Sequence, residues 1–290
     1  MAKYLTRLRA YRLDNPGSSF SYAVDQDFTL IEARYNDVNR PSILSEMRVM
    51  GCNHITTLHI TSWDRDHCNC VELAQILEEL QPSIIEYPGY TPDTDNGIKS
   101  FKLIKGYGQN KNYARIAAAT PQNISALSPA EEKKLSNIFY GPGVIGDNHN
   151  DNSTIKFFRR GRFTCLSVGD CENSEIAKSI MDDSIIQNEM DVLILPHHGV
   201  DNGFTSEEFL KKVNPLFTIC TSNYDNPYEH PSQSVRNLHY SLGIKYYTTK
   251  TGDVVAVCGE DNKLKVFNLI SGNNKVCAID EYAPKLIINW

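Results

Sequence analysis

Hydrophobic positions alternate with polar ones in some stretches of the chain and recur every three or four residues in others, which predicts a mixture of strands and helices. Short apolar runs bounded by turn formers predict strands. These are residues 8–13, 20–24, 28–32, 54–60, 84–87, 154–159, 163–168, 191–195, 217–221, 244–248, 254–258 and 264–269. Apolar residues at helical spacing or capping signals predict helices near 41–50, 71–80, 173–181, 206–213 and 232–242.

The order of these elements predicts an α/β fold, because strand series punctuated by helices form sheets that helices cover. We expect one domain over residues 1–270. Residues 88–150 are rich in Gly, Asn, Pro and Thr, and we interpret them as loops and a small insertion. A capping box with proline at the first helical position, Ser128 to Glu131, predicts one helix start there. Residues 271–290 are either a tail or a last element packed on the domain.

Composition excludes several classes of protein. The chain has 290 residues, 41% apolar and 22% charged, with 29 Lys+Arg against 35 Asp+Glu and a net charge of −6. A mildly acidic chain is not built to coat nucleic acid indiscriminately. No apolar run reaches the roughly 18–20 residues of a membrane span, and the start lacks a secretory core. We therefore expect a cytoplasmic protein whose 8 cysteines are free thiols.

Carboxylates and imidazoles gather where the predicted strands end. Asp64, Asp66 and His67 follow the fourth strand, Asp170 follows the 163–168 strand, and the pair His197 and His198 follows the 191–195 strand. His230 lies in the loop after the 217–221 strand. Taken singly, each segment also suits a solvated turn. Together, side chains at consecutive strand ends can converge on one sheet edge, where a divalent metal is the simplest way to compensate them.

Six short segments carry a resemblance to a known family. The sequence resembles the metallo-β-lactamase fold, in the branch similar to the C-terminal domain of the bacterial DNA-uptake protein ComEC. The match extends over about residues 5–268 and is strongest from 150 to 258. The segments that match the motifs of this branch, in the same order, are residues 14–18, 61–67, 150–153, 166–170, 195–199 and 226–232.

The resemblance implies an αββα four-layer sandwich with two divalent metal ions at the strand edge. It implies hydrolysis of DNA phosphodiesters by a water molecule that the metal ions activate. The implied metal ligands are Asp64, Asp66, His67, Asp170, His197 or His198, and His230. Asp66, His67 and His198 are the implied catalytic residues.

Two positions depart from the family pattern. Ser62 and Asp64 occupy the places of the first two motif histidines. Serine is a poor metal ligand, which leaves one of the two metal positions in question, whereas aspartate is a good one. Three carboxylates among the ligands make the site harder than an all-histidine zinc site, so Mn²⁺ is favoured over Zn²⁺ or Mg²⁺.

Residues for substrate contact follow from position in the motifs. Asn223 and Asn226 are candidates for binding the phosphate or the leaving group. Arg160 belongs to a basic run, residues 156–162, in which phenylalanines are interleaved. This run suits a nucleic-acid backbone. The alternative is that the aromatic residues are core and the basic ones a solvated face.

Three functions remain open at this point. The first is a metal-dependent nuclease or phosphodiesterase with nucleic acid as substrate. The second is a small-molecule metallo-hydrolase acting on a lactone, thioester or cyclic nucleotide, and the third is a catalytically impaired scaffold. No membrane partner is expected. A protein partner such as an ATPase is a hypothesis that rests on the family resemblance alone. The sequence does not determine the oligomeric state.

Overall fold

Two β-sheets of unequal size form the middle of the molecule in the computed structural model, which describes residues 5–127, 136–270 and 275–286. The strands in chain order are β1 (Thr6–Ala10), β2 (Phe20–Val24), β3 (Asp27–Ile31), β4 (Thr57–His59), β5 (Ile84–Pro88), β6 (Arg115–Ala119), β7 (Ile138–Tyr140), β8 (Ile155–Phe158), β9 (Cys165–Ser167), β10 (Val192–Ile194), β11 (Phe217–Cys220), β12 (Lys245–Thr248), β13 (Val254–Cys258), β14 (Leu264–Ile270) and β15 (Lys275–Tyr282).

The strand order separates an antiparallel part from a parallel part in each sheet. The larger sheet runs β15-β14-β13-β1-β2-β3-β4-β5-β6, and the smaller runs β12-β11-β10-β9-β8-β7. Strands β3 to β6 are mutually parallel, and so are β9 to β12. Because parallel strands end at the same edge, the loops after β4, β9, β10 and β11 are candidates to meet there.

Helices cover the outer face of each sheet. They are α1 (Arg40–Met50), α2 (Cys70–Glu79), α3 (Asp95–Asn110), α4 (Pro121–Leu127), α5 (Ser174–Asp182), α6 (Ser184–Glu189), α7 (Glu207–Val213) and α8 (Gln233–Leu242). Apolar residues of α1, α2 and α3 pack with those of β3, β4 and β5. Those of α5, α6, α7 and α8 pack with β8, β9 and β10.

A third apolar cluster fills the space between the two sheets. Strand β10 illustrates how its residues are shared: Val192 and Ile194 face this inner cluster, whereas Leu193 faces the outer helices. All three residues are buried, which explains why β10 reads as a continuous apolar run. The layers are helix, sheet, sheet and helix, and the expected αββα sandwich is confirmed.

One charged cluster is buried between the sheets. Nζ of Lys156 on β8 lies 2.7 Å from Oε2 of Glu86 on β5, and Nδ1 of His59 on β4 lies 2.9 Å from the same oxygen. The Lys156 ammonium also lies 4.9 Å from the ring centroids of Phe139 and Phe158. The Lys156 side chain is therefore paired within the core of the sandwich and is not part of a solvated basic face.

The segment 88–150 contains more regular structure than expected. It includes the 16-residue α3 and strand β6, which forms the far edge of the larger sheet. Ile104 and Tyr107 give α3 its buried face, but its glycines and asparagines obscured that periodicity. The predicted helix start at Ser128 lies outside the described residues. At the C-terminal end, β15 pairs with β14 as an edge strand.

Two further observations concern the expected environment of the protein. All eight cysteines are free thiols, as predicted. None of the helices in the described part of the chain combines the length and apolarity needed to cross a bilayer.

Candidate metal centre

Four side chains from three separate loops meet at the carboxyl edge of the parallel strands. Asp66 and His67 follow β4, Asp170 follows β9, and His198 follows β10. One ligand atom from each lies within 4.8 Å of the others. Two carboxylates and two imidazoles at this separation form a set that a divalent cation can bridge.

Glu32 orients His67, although it was not among the predicted site residues. His67 is 1% exposed, and its Nδ1 lies 3.0 Å from Oε1 of Glu32. The Glu32 carboxylate also accepts hydrogen bonds from the backbone N–H of Thr61 at 3.0 Å and from its hydroxyl at 2.5 Å. Donation from Nδ1 to a carboxylate leaves the Nε2 lone pair for a metal, an arrangement common around metal-binding histidines.

The His67 Nε2 atom is the observation that best fits a cation. It is buried, lies 2.9 Å from Oδ1 of Asp170 and 3.9 Å from Oδ2 of Asp66, and yet makes no aligned hydrogen bond. A buried polar atom without a hydrogen bond requires an explanation. Short separations without hydrogen-bond alignment are what a cation shared by these ligand atoms would produce.

The segment around Gly17 holds the backbone of Asp66. The carbonyl of Asp66 accepts hydrogen bonds from the N–H of Ser18 and from Nη1 of Arg34, each at 3.0 Å. Gly17 has a φ of +139°, and a Cβ there would lie 1.8 Å from Arg34 Nη1 and 2.5 Å from the Asp66 carbonyl oxygen. Only glycine allows this close approach. The side chain of Asn69 then caps α2 directly after the motif.

The other two ligands are also held by their neighbours. Gly169 has a φ of +55°, and a Cβ there would lie 2.6 Å from Oγ1 of Thr61, so the Asp170 loop packs tightly on the loop after β4. Nδ1 of His198 lies 3.2 Å from both the carbonyl oxygen and the hydroxyl of Thr221. Its Nε2 lies 3.4 Å from Oδ2 of Asp66. His198 therefore also directs Nε2 toward the group.

Mutual pairing controls the protonation of this centre. Burial favours the uncharged forms, but the neighbouring charges outweigh it. Asp170 and Glu32 raise the pKa of His67 well above its usual value, while His67 lowers the pKa of Asp170. In the same way, His67 and His198 hold the pKa of Asp66 well below its usual range. A cation would compete with these protons, because it requires neutral imidazoles.

A pocket of about 280 Å³ opens over the group, lined among others by Asp66, His198, His230, Asn223 and Asn226. The Asp66 side chain is 34% exposed and faces it, whereas Asp170 and His67 are buried beneath. Asp66 and His198 can thus be reached from the pocket, while Asp170 and His67 are shielded from it.

Three predicted ligands lie outside the four-residue group. Oδ2 of Asp64 accepts a hydrogen bond from the Ser62 hydroxyl at 3.0 Å. Nδ1 of His197 lies 2.6 Å from Oε1 of Glu172. The ring of His230 stacks on that of His198 with centroids 6.2 Å apart, and burial together with His198 and His197 lowers the pKa of His230 to about 4. A ligand role for these three stays a prediction that the geometry does not support.

The predicted substrate residues divide into two groups. Asn223 and Asn226 line the pocket. Arg160 does not line it: its Nη1 lies 3.9 Å from Oδ2 of Asp27 at the start of β3, and contact with a substrate stays a prediction that the geometry does not support. Asp27 begins β3, whereas Glu32 beside the metal centre follows its last residue. Because five residues of extended strand span about 17 Å, Asp27 lies at the opposite end of the strand from the metal centre. Arg159 in the same run is buried and paired with Glu189.

Sequence reasoning missed Glu32 and Thr221. Each is a single polar residue directly after a strand and belongs to none of the recognised motifs. The one available signal was position, because Glu32 and Thr221 directly follow β3 and β11 at the same sheet edge as the ligands.

The layers and the ligand-bearing loops define a protein with the metallo-β-lactamase fold. A similar solved structure is Igni18, a metallo hydrolase from the archaeon Ignicoccus hospitalis, with a TM-score of 0.55 and 12% identity over 87% of this chain and 98% of that one. No protein-family model matches the chain.

Two curated proteins match part of the sequence. The chain is 41% identical to competence protein ComA of Neisseria gonorrhoeae over 58 residues, which are 20% of this chain and 8% of that protein. It is 32% identical to ComE operon protein 3 of Bacillus subtilis over 101 residues, 34% of this chain and 12% of that protein. The matches thus span about a tenth of these relatives, and the resemblance predicted from the motifs is confirmed.

Proposed function

We propose that this chain is a metal-dependent phosphodiesterase that hydrolyses nucleic acid, with DNA as the first substrate to test. The observation that carries the proposal is the convergence of Asp66, His67, Asp170 and His198 beneath an open pocket. Mixed carboxylate and imidazole ligands suit Mn²⁺ or Zn²⁺, with Mg²⁺ a weaker candidate because it prefers oxygen ligands.

The residues of the centre have different roles in the proposed hydrolysis. When bound, the ion supplies Lewis-acid activation of water and of the phosphate. Asp66 is exposed to the pocket, so its carboxylate is suited to orient the attacking water. Glu32 keeps Nε2 of His67 directed at the centre, and Thr221 does the same for His198. Asn223 and Asn226 are candidates to hold the phosphate oxygens.

Two observations support a nucleotide substrate. One is the resemblance to the DNA-uptake branch of the fold. The other is a stack of rings beside the pocket: Tyr228 lies parallel to His230 with centroids 5.6 Å apart, and His230 lies parallel to His198. Tyr228 is 70% exposed. An exposed ring next to a hydrolytic centre suits an unpaired base, because every base has a face that stacks.

A small-molecule substrate is the second candidate. Among the described residues that line the pocket, none is Lys or Arg. A site that grips a long phosphate backbone ordinarily uses such residues. A pocket of about 280 Å³ is also close in size to those that enclose small ligands.

The test is hydrolysis by the purified full chain supplied with Mn²⁺. Plasmid, single-stranded DNA and bis(p-nitrophenyl) phosphate are offered beside lactone and thioester substrates. We expect Mn²⁺-dependent cleavage of the phosphodiesters, lost in Asp66→Ala and His67→Ala at unchanged circular dichroism. Cleavage of the esters alone would favour the small-molecule hydrolase. No cleavage, together with no bound metal, would favour the impaired scaffold.

A further inference from the structure

The position beside the four-residue group is occupied by a hydrogen-bonded network of protein groups. The resemblance to the family implies that the ligands of a first metal ion would lie at this position, where the chain has Ser62 and Asp64. The Ser62 hydroxyl lies 3.0 Å from Oδ2 of Asp64 and 3.1 Å from the hydroxyl of Tyr90, and Ser62 is 0% exposed. The backbone N–H of Asp64 also donates to the Ser62 oxygen at 3.2 Å.

Tyr90 is fixed in this network by the backbone and by a buried indole. Its hydroxyl oxygen accepts a hydrogen bond from the N–H of Trp63 at 3.2 Å, and its carbonyl accepts one from Nε1 of Trp63 at 3.0 Å. Trp63 is 2% exposed and Tyr90 is 6% exposed. The position of the hydroxyl is thus determined by the fold rather than by a free surface rotamer.

The direction of each hydrogen bond follows from the number of protons available. Trp63 N–H can only donate, so the Tyr90 oxygen accepts. The carboxylate of Asp64 can only accept, so the single proton of Ser62 goes there. Tyr90 must then donate its own proton to Ser62. The hydroxyl protons of Ser62 and Tyr90 thus each have an acceptor, and matched hydrogen bonds between buried groups are rigid and costly to break.

A metal ion at this position would have to displace that network. A neutral serine hydroxyl is a weak replacement for an imidazole ligand. Across residues 5–127, 136–270 and 275–286, the one set of three or more ligand side chains that converges is Asp66, His67, Asp170 and His198, and Asp64 is not part of it. The chain therefore has enough ligands for one ion, and the position of the other ion is occupied by the hydrogen bonds of Ser62, Asp64 and Tyr90.

We propose that this protein binds a single divalent ion and that the Ser62–Asp64–Tyr90 network takes the place of the first metal of a two-metal centre. The inference rests on the proposed metal centre and differs from it in the number of ions. Tyr90 is a positioning residue here, since it holds Ser62 and through it Asp64.

The decisive measurement is the stoichiometry of Mn²⁺ on the 290-residue chain, by calorimetric titration and by element analysis after desalting. We expect one Mn²⁺ per chain and the six-line resonance spectrum of an isolated Mn²⁺ ion. Two ions per chain with a spin-coupled spectrum would overturn the single-ion proposal and leave the proposed hydrolase standing. Binding of no ion would overturn both.

A matched pair of variants tests the role of Asp64. Asp66→Asn removes a ligand and is expected to weaken Mn²⁺ binding by more than about 100-fold, beyond the range of outer-shell residues. Asp64→Asn removes the same charge two residues away but no ligand, so the loss should be about threefold or less, as for a solvated charge nearby. A loss in Asp64→Asn as large as that in Asp66→Asn, with both variants folded by circular dichroism, would overturn the proposal.

Discussion

Nδ1 of His67 lies 3.0 Å from Oε1 of Glu32, and this contact leaves the other ring nitrogen facing Asp66 and Asp170. Both oxygens of the Glu32 carboxylate accept hydrogen bonds, from His67, the Thr61 hydroxyl and the Thr61 N–H. Glutamine at position 32 would have one oxygen that accepts and one amino group that cannot. We expect Glu32→Gln to weaken Mn²⁺ binding by about 10- to 100-fold, as outer-shell changes do, measured by calorimetry. Glu46 is equally buried but pairs with Arg7 and Arg9. Glu46→Gln should therefore leave the affinity unchanged, and equal losses in the two variants would contradict the assignment.

Gly17 is expected to be required for the position of Asp66. A Cβ there would overlap Arg34 Nη1 and the Asp66 carbonyl, and the φ of +139° is unfavourable for alanine. Gly17→Ala should lower the free energy of unfolding by about 1–3 kcal/mol and weaken metal binding. The control is Gly106→Ala on α3, where nothing lies within 4 Å of the added methyl. Because alanine has the higher helix propensity, this variant should raise the free energy of unfolding by about 0.5–1 kcal/mol. Urea unfolding of both variants provides the measurement.

The buried Glu86 makes a pH-dependent contribution to stability. Burial opposes its ionisation, but Lys156 and His59 outweigh it and lower the pKa of Glu86 from 4.5 to about 2. Because the folded-state pKa is the lower one, the contribution is full above pH 4.5 and is lost as the pH falls toward 2. It amounts to about 3 kcal/mol.

Glu86→Gln should therefore destabilise the protein at pH 7 by about 3 kcal/mol and flatten the acid dependence of unfolding. The exposed pair of Lys263 and Glu281 provides the comparison. Glu281→Gln should change the free energy of unfolding by less than about 0.5 kcal/mol. If the free energy of unfolding of Glu86→Gln falls with decreasing pH as steeply as that of the unmodified protein, another carboxylate controls the acid dependence.

Tyr228 is expected to contribute to binding rather than to the chemical step. If an unpaired base stacks on its exposed ring, Tyr228→Ala should raise KM for a single-stranded oligonucleotide about tenfold at constant kcat, the value of one stacked base. Hydrolysis of bis(p-nitrophenyl) phosphate, which has no base, should not change. Tyr240 on α8 is 91% exposed and does not line the pocket, so Tyr240→Ala is the control. Equal KM values for Tyr228→Ala and the unmodified chain would refute the stacking model.

Local pattern was enough to predict most of the fold. Strands β2 and β13 and the helix capped by Ser206 begin and end at or within a residue of the expected positions. Their apolar periods are uninterrupted and bounded by clear turn or cap residues. Helix α3 was missed because Gly97, Gly106 and Gly108 occupy its positions, and glycine in a helix reads as a breaker.

The candidate site was predicted in part for a related reason. Asp66, His67, Asp170 and His198 carry their chemistry in the side chain, so residue type and strand-end position identify them. Glu32 acts only through His67, and the contact joins residues 35 positions apart. Such contacts depend on strand order, which the sequence pattern does not specify. Arg160 lies near Asp27 and not at the pocket, because charge alone gave no indication of which end of the sheet it occupies.

Asp66 and His67 extend from the larger sheet, whereas Asp170 and His198 extend from the smaller one. A cation coordinated by all four cross-links the two halves of the sandwich at their seam, so its removal by a chelator should lower the melting temperature. Amide protons of β4 and β9 would then exchange faster with deuterium, while those of the outer helices keep their protection. An ion bound there would thus hold the two sheets together in addition to the chemical role proposed for it.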